Sequence, residues 1–532
     1  MHNVVERLSR RRSLFASLTV AGLCTIVLSS ALFAATQQLV TGKRISPVGV
    51  NTEVGNLPMN MIKSPNGKFA IISDMGFNQW LSSVDVKTGA IISQVDFGQQ
   101  PVSNTYGLYH GVAFAPGNGP DYTVYAAMGE NQTIAVLNLD KDGNLTLLNT
   151  NTFAVKAHDF PSGLAVDNKG NLYVANNDPD TFAQPTSIAI YNPAGAEIGR
   201  YAFSSSYGGT PNFPLAIATF ADGSKTYVGS QRDGAVYVLN TTDPGNITLT
   251  ATINTGSHPV GLTFNQSQSL LYVANAHSDT ISVVATGNDT VVNTLAFKVP
   301  ELENAIGATP LQTYISQDGS TLYAALADMN AVAIATIAGN NLVLQGYIPV
   351  GWYPTAVVAD DSNQRLLVTN AKGVKTMNPS PCYKLWEFND NPCYDLNEMQ
   401  GTVAALDVPT HDQLVHYTNQ VLANNSVALS STKNLDSIGL KAGGIQHIIY
   451  IVKENRTYDQ ILGDIPQGNG DPSLVLFGES ITPSQHALTK RFVLLDNFYD
   501  SGEASGDGWP WSTQAMGSEY DLKNLPYNYS GR

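Results

Sequence analysis

Basic residues, charge in general and cysteine are all scarce in this chain. Of its 532 residues, 28 are lysine or arginine against 43 aspartate or glutamate; the formal charge is −15 and charged residues make up only 13%. Beyond the N-terminus there is no Lys/Arg cluster, so a polyanion would be repelled and nucleic acid is excluded as a partner. There are three cysteines, Cys24, Cys382 and Cys393. No Cys-x-x-Cys-His occurs, which excludes covalent haem, and two cysteines without a clustered histidine make a poor zinc site. What the chain does have is 46 glycines and 43% hydrophobic residues, a composition that suits a turn-rich β protein. The length exceeds what one core can bury, and we expect two folded units.

Residues 1–36 read as a targeting segment. Arg10-Arg11-Arg12 precede an almost uncharged run, Leu14 to Ala35, that closes in small residues. A cleaved secretory signal and an uncleaved membrane anchor both fit, since about 20 apolar residues span a bilayer. Either way the bulk of the chain is expected to be periplasmic or secreted, with the membrane touched only through that segment. An oxidising compartment would let Cys382 and Cys393 close a small loop as a disulfide.

From Asn60 onward one pattern recurs, and self-similarity at such a period marks a repeat fold. Its second strands are Phe69-Ala70-Ile71-Ile72, Val124-Tyr125-Ala126, Leu172-Tyr173-Val174, Thr226-Tyr227-Val228, Leu271-Tyr272-Val273, Leu322-Tyr323-Ala324 and Leu366-Leu367-Val368. Turns such as Asn66-Gly67, Asp222-Gly223 and Asp318-Gly319 supply the positive φ of tight hairpins. Seven blades are expected over 45–408, with an insertion at 371–400 in the last one. Tyr173-Val174-Ala175-Asn176, Tyr272-Val273-Ala274-Asn275 and Val368-Thr369-Asn370 resemble the YVTN family of β-propellers. That resemblance implies architecture and says little of chemistry; the funnel could hold a small ligand, a quinone cofactor or a protein partner. Asp140-Lys141-Asp142-Gly143-Asn144 has its glycine too early for a calcium loop and reads as a hairpin turn. His411 to Leu422 has helical spacing, and 409–444 reads as a helix and linker.

Residues 445–532 carry the candidate chemistry. The apolar run Ile445 to Val452 reads as a buried parallel strand, and Glu454-Asn455 would sit at its carboxyl end, where open α/β sheets place ligands. Two hard oxygen donors in succession suit a divalent cation. Glu454-Asn455-Arg456-Thr457-Tyr458-Asp459, then Thr482-Pro483, then Asp496-Asn497-Phe498-Tyr499, resemble in order the phosphoesterase family of bacterial phospholipases C and acid phosphatases, within the alkaline-phosphatase-like superfamily. The resemblance implies Glu454 and Asn455 as metal ligands and Ser505, with Ser501 as fallback, as metal-bound nucleophile. Arg456 would clamp phosphate or pair with Asp459. His447 reads as a core residue and His486 as a residue along a helix.

The expected fold is therefore mainly β, a seven-bladed propeller followed by a partial α/β alkaline-phosphatase-like domain. Such domains run to several hundred residues, so 445–532 would be an incomplete one. The function expected from the resemblance is metal-dependent hydrolysis of a phosphate ester, with an incomplete metal shell leaving this chain inactive. The alternative is a non-catalytic binding propeller whose C-terminal segment is a docking extension.

Overall fold

The computed structural model describes residues 36–77, 79–97, 107–149, 152–177, 185–203, 212–298, 307–375, 395–425 and 444–529. Seven four-stranded antiparallel sheets follow one another along the chain, a mainly β seven-bladed propeller. The first strands, which line the axis, are Pro58–Lys63, Val112–Phe114, Phe160–Val166, Pro214–Thr219, Pro259–Phe264, Pro310–Ile315 and Pro354–Asp360. Blades 1 to 6 are each built from consecutive strands. The seventh takes Pro354–Asp360, Arg365–Asn370 and Gln400–Asp407 from its own repeat and its outer strand, Val50–Asn56, from the start of the propeller. The register of that closure is Val50↔Ala405, Asn51↔Ala404 and Thr52↔Val403.

The recurring Leu-Tyr-Val strand has a mechanical explanation. Its apolar residues are buried in clusters shared by adjacent blades; Tyr227 and Val236 of blade 4 pack with Leu271 and Val273 of blade 5. The tyrosine hydroxyl then crosses the seam. Tyr173 donates to Asp167 Oδ2 at 3.2 Å in its own blade and lies 3.3 Å from Gly223 O in the next, while Tyr227 bonds Asp289 of blade 5. The motif's asparagine fastens second strand to third: Asn275 Nδ2 reaches Thr280 Oγ1 and Ser282 Oγ, each at 3.0 Å. At Asp140 the backbone closes a turn in which Asp140 Oδ1 accepts the N–H groups of Asp142 and Asn144, a hairpin and no ion loop.

Among the described residues six α-helices follow or interrupt the sheets: α1 (Asp395–Glu398), α2 (His411–Asn425), α3 (Tyr458–Leu462), α4 (Pro483–Arg491), α5 (Ser505–Gln514) and α6 (Glu519–Tyr529). In α2, Leu414, Tyr417 and Val421 are buried at helical spacing, the face that packs on Asn341–Pro349 of blade 6. Among the described residues no helix is long and apolar enough to cross a membrane.

Beyond α2 the structure departs from the expected domain. Ile445 to Val452 is no strand: it pairs with nothing, and Ile448, Ile449 and Ile451 are 83%, 87% and 79% exposed. A continuous apolar run becomes a buried strand only where neighbouring strands and covering helices surround it, and none of the described residues supply them. Phe492 to Tyr499 behaves the same way, with Val493 84% exposed. Among the described residues the alkaline-phosphatase-like α/β layer is therefore not seen; only short helices are. Residues 1–35, Cys382 and Cys393 lie outside the described residues.

The axis is tightly drawn. A Cβ added to Gly163 in the first strand of blade 3 would stand 2.0 Å from Leu215 O of blade 4, against backbone that cannot give without moving a blade. Gly163→Ala is expected to lose about 2–4 kcal/mol of stability, read as a lower denaturation midpoint in urea. An unchanged midpoint would show that the seam is looser than this spacing.

Candidate functional site

In a propeller the loop entering each first strand and the loop between second and third strands emerge at the same end, so a few residues from several blades converge on one mouth. Blade 4 brings Phe213, just before Pro214, and Gln231 and Arg232, just after Ser230. Blade 5 brings His258, before Pro259, and His277, two residues beyond Asn275. His258 is held at φ +56°, as Leu57, Thr309 and Tyr353 are held at φ +49°, +54° and +61° before their own prolines. This left-handed setting disfavours side-chain-bearing residues; it turns each chain sharply into the axis. The two imidazoles stack with centroids 3.8 Å apart and planes 11° from parallel.

Helix α6 closes this mouth. Leu522 and Leu525 sit in the axial core with Leu57, Met59, Leu215, Val260 and Tyr353. Each such burial contributes about 1.5–3 kcal/mol. Glu519, fully buried, projects among the polar groups of blades 4 and 5. Its Oε1 lies 2.7 Å from His258 Nδ1 and accepts from Gln231 Nε2 at 2.9 Å. Its Oε2 lies 3.2 Å from His277 Nε2, a charge contact without hydrogen-bond alignment, so both atoms keep unused bonding capacity. Arg232 Nη2 donates to Tyr520 Oη at 2.6 Å and its guanidinium lies over Phe213. Ahead of α6, Lys372 Nζ in blade 7 donates to Glu503 Oε1 at 2.6 Å, and Asp507 caps α5 by accepting from the N–H groups of Glu503 and Ala504.

Burial and charge set the protonation of these groups. Burial alone would raise Glu519, but the hydrogen bond from His258, the close contact with His277 and the charge of Lys523 hold it well below the usual carboxylate range. Burial works to lower His277, yet Glu519 carries it above the ordinary imidazole value. Burial pushes Lys523 down to about 8 against the pull of Glu519. Burial also raises Glu503, to about 7, despite Lys372. Lys523 reaches past the mouth into an axial cavity of about 160 Å³ lined by Met59, Asn60, His110 and Gln312. There burial, followed by the charge of Lys523, lowers His110 to about 3. Chemically the mouth is a set of N–H donors and imidazoles around one carboxylate.

The residues expected from sequence lie elsewhere. Glu454, Asn455 and Arg456 are exposed on irregular backbone, and Arg456 rests over the ring of Phe477 at 5.5 Å. Ser505 is exposed at the start of α5 and Ser501 partly so. His447 is exposed where a core residue was expected. His486 is buried in α4, with Nε2 2.8 Å from Asp464 Oδ1. Two exposed oxygen donors, Glu454 and Asn455, make an incomplete shell for a divalent ion. The one group of three potential ligands among the described residues is His258, His277 and Glu519. The sequence carried a signal for that group: two histidines at the loops of a single blade, and Glu519 four residues before Lys523 with Leu522 and Leu525 at i, i+3.

A family model for lactonase, a seven-bladed β-propeller, matches residues 202–305. The chain is 24% identical over 303 residues to a 6-phosphogluconolactonase of Klebsiella pneumoniae, covering 47% of this chain and 88% of the relative. Among solved structures it is similar to a periplasmic gluconolactonase from Pseudomonas aeruginosa (15% identity, 56% of this chain and 86% of that one, TM-score 0.42) and to hydrazine synthase of Kuenenia stuttgartiensis (16% identity, 60% and 95%, TM-score 0.45). Both structural likenesses are too distant to bear on chemistry. The family match and the curated relative overturn the expected phosphate-ester hydrolysis: they are to lactone hydrolases, and neither is to a metal-dependent phosphatase or phospholipase C. The three-segment resemblance over 454–499 misled because its motifs name a site that needs a sheet around it.

The pH dependence of α6 docking follows from these shifts. His277, raised, contributes fully below about pH 6.5 and its contribution is lost as pH rises through the raised value. Glu503, raised to about 7, likewise favours docking in acid and disfavours it once ionised. Glu519, depressed, contributes above about pH 4.5 and fails only as pH falls towards its depressed value. Lys523 carries a constant penalty below 8. Docking is therefore expected to be tighter at pH 6 than at pH 8. Amide protection over 519–525, corrected for intrinsic exchange, should fall about tenfold between them; protection that rises over this interval contradicts the assignment.

Proposed function

We propose that this chain is an exported hydrolase of lactone esters whose reaction site is the propeller mouth formed by blades 4 and 5. One observation supports the reading above others: the stretch that matches the lactonase family, 202–305, is the stretch that supplies Gln231, Arg232, His258 and His277. Export rests on Arg10-Arg11-Arg12 and the apolar run to Ala35.

These residues suit water addition to a strained ester. A neutral imidazole of the His258/His277 pair takes a proton from water as its oxygen bonds to the lactone carbonyl carbon. The Gln231 amide and Arg232 guanidinium donate to the oxygen on which negative charge develops. The tetrahedral intermediate collapses with cleavage of the ring C–O bond, and the imidazolium returns its proton to the departing alkoxide. The product is an open hydroxy acid whose new carboxyl group, still carrying the second proton of the water, ionises and releases that proton to solvent. No phosphorus chemistry and no acyl-enzyme are required.

The test is proton release from 6-phosphoglucono-δ-lactone and glucono-δ-lactone in a pH-stat, above the uncatalysed rate. His258→Ala and His277→Ala are each expected to reduce kcat/KM by about 100-fold, whereas Ser505→Ala and Glu454→Ala should leave it unchanged. Wild-type rates no faster than buffer for both lactones would end this reading.

A further inference from the structure

We propose that Gln231, His258 and His277 form a carboxylate-recognising subsite, and that α6 fills it with Glu519 as a built-in mimic of the hydroxy-carboxylate product. The inference rests on the lactonase reading for the identity of the ligand, but the subsite itself stands on geometry. A carboxylate that is 0% exposed would be expelled or neutralised unless its surroundings were made for one. Here both oxygens are addressed: Oε1 by His258 Nδ1 and Gln231 Nε2 at 2.7 and 2.9 Å, Oε2 by His277 Nε2 at 3.2 Å.

Two features mark the groups on the propeller side as a site that α6 borrows. The three donors come from two blades and are fixed by the propeller itself; His258 is held by the same left-handed turn into a proline, at φ +56°, that fixes Leu57, Thr309 and Tyr353 in their blades. The fit of Glu519 is also imperfect. Its Oε2 and His277 Nε2 are buried, adjacent and misaligned, as expected of a side chain tethered to a helix and unlike a free carboxylate that could rotate to satisfy both. Glu519 is thus an adequate occupant that a better one displaces. Lys523, one turn further along α6 and also buried, leaves with it, which opens the axial cavity for the remainder of a polyhydroxylated acid.

An occupied site binds a competing ligand with its affinity reduced by the fraction of time the site is free. Isothermal titration of the full chain with sodium D-gluconate is expected to show affinity at least about tenfold higher in Glu519→Ala than in wild type, and no binding in Glu519→Ala/His277→Ala. Because Glu519→Ala could loosen the mouth, hydrogen exchange on wild type is the second arm: gluconate should deprotect 519–525, and sodium chloride at equal ionic strength should not. Equal gluconate affinity in wild type and Glu519→Ala, or unchanged protection, overturns the subsite. One equivalent of Zn²⁺ bound by wild type, with EDTA releasing α6, would overturn it in favour of a metal held by His258, His277 and Glu519. Tight gluconate binding by Glu519→Ala without lactone turnover would sink the proposed reaction while leaving the subsite standing.

Discussion

Everything at the mouth depends on one strand pairing far from it in sequence. Val50–Asn56 hydrogen-bonds to Gln400–Asp407 and closes seven blades into a ring. An open array of such sheets would leave two edges and no axis; only closure fixes the angle at which blades 4 and 5 present Gln231, Arg232, His258 and His277 to a common point. The inter-blade tyrosines serve the same end. By anchoring Tyr173 in the turn of blade 4 and Tyr227 in that of blade 5, they prevent the blades from sliding past one another, and so transmit the closure around the ring as fixed geometry.

Within that frame α6 is held by two kinds of force with different consequences. Leu522 and Leu525 supply apolar burial that is indifferent to pH and to ligand. Glu519 and Lys523 are buried charges, and burying a pair rarely contributes more than it costs in desolvation. Their value is selectivity: they make the helix fit one orientation and one set of partners, while keeping the net affinity modest enough to be reversed. A wholly apolar plug would bind more tightly and respond to nothing.

The propeller was legible in the sequence because its signals are local and repeated. Leu-Tyr-Val strands, Asp-Gly turns and apolar alternation each state their structure within a few residues, and seven repetitions average out the exceptions. The candidate site was not legible for the opposite reason. His258 and Glu519 are 261 positions apart, and nothing near either one names the other. The segment that looked most chemical, Glu454-Asn455 with Ser505, was read from motif order, which assumes a surrounding sheet. Ile448 and Ile449 standing in solvent show that this assumption fails among the described residues.

A repeat fold also indicates where to look for function, by where it breaks its own pattern. The position before the first strand is filled by Leu57, Thr309 and Tyr353 in blades 1, 6 and 7, all within or beside the axial core. In blade 5 it is His258. That substitution gains nothing for packing, since Leu57 and Tyr353 lie in the axial core whereas the half-buried imidazole of His258 turns to Glu519, and it retains the same left-handed strain. Paired with a second histidine in the next loop of the same blade, it converts one of these four corners from a structural turn into a place that binds. The symmetry of the ring supplies rigidity at every corner, and the chemistry resides in the corner that departs from it.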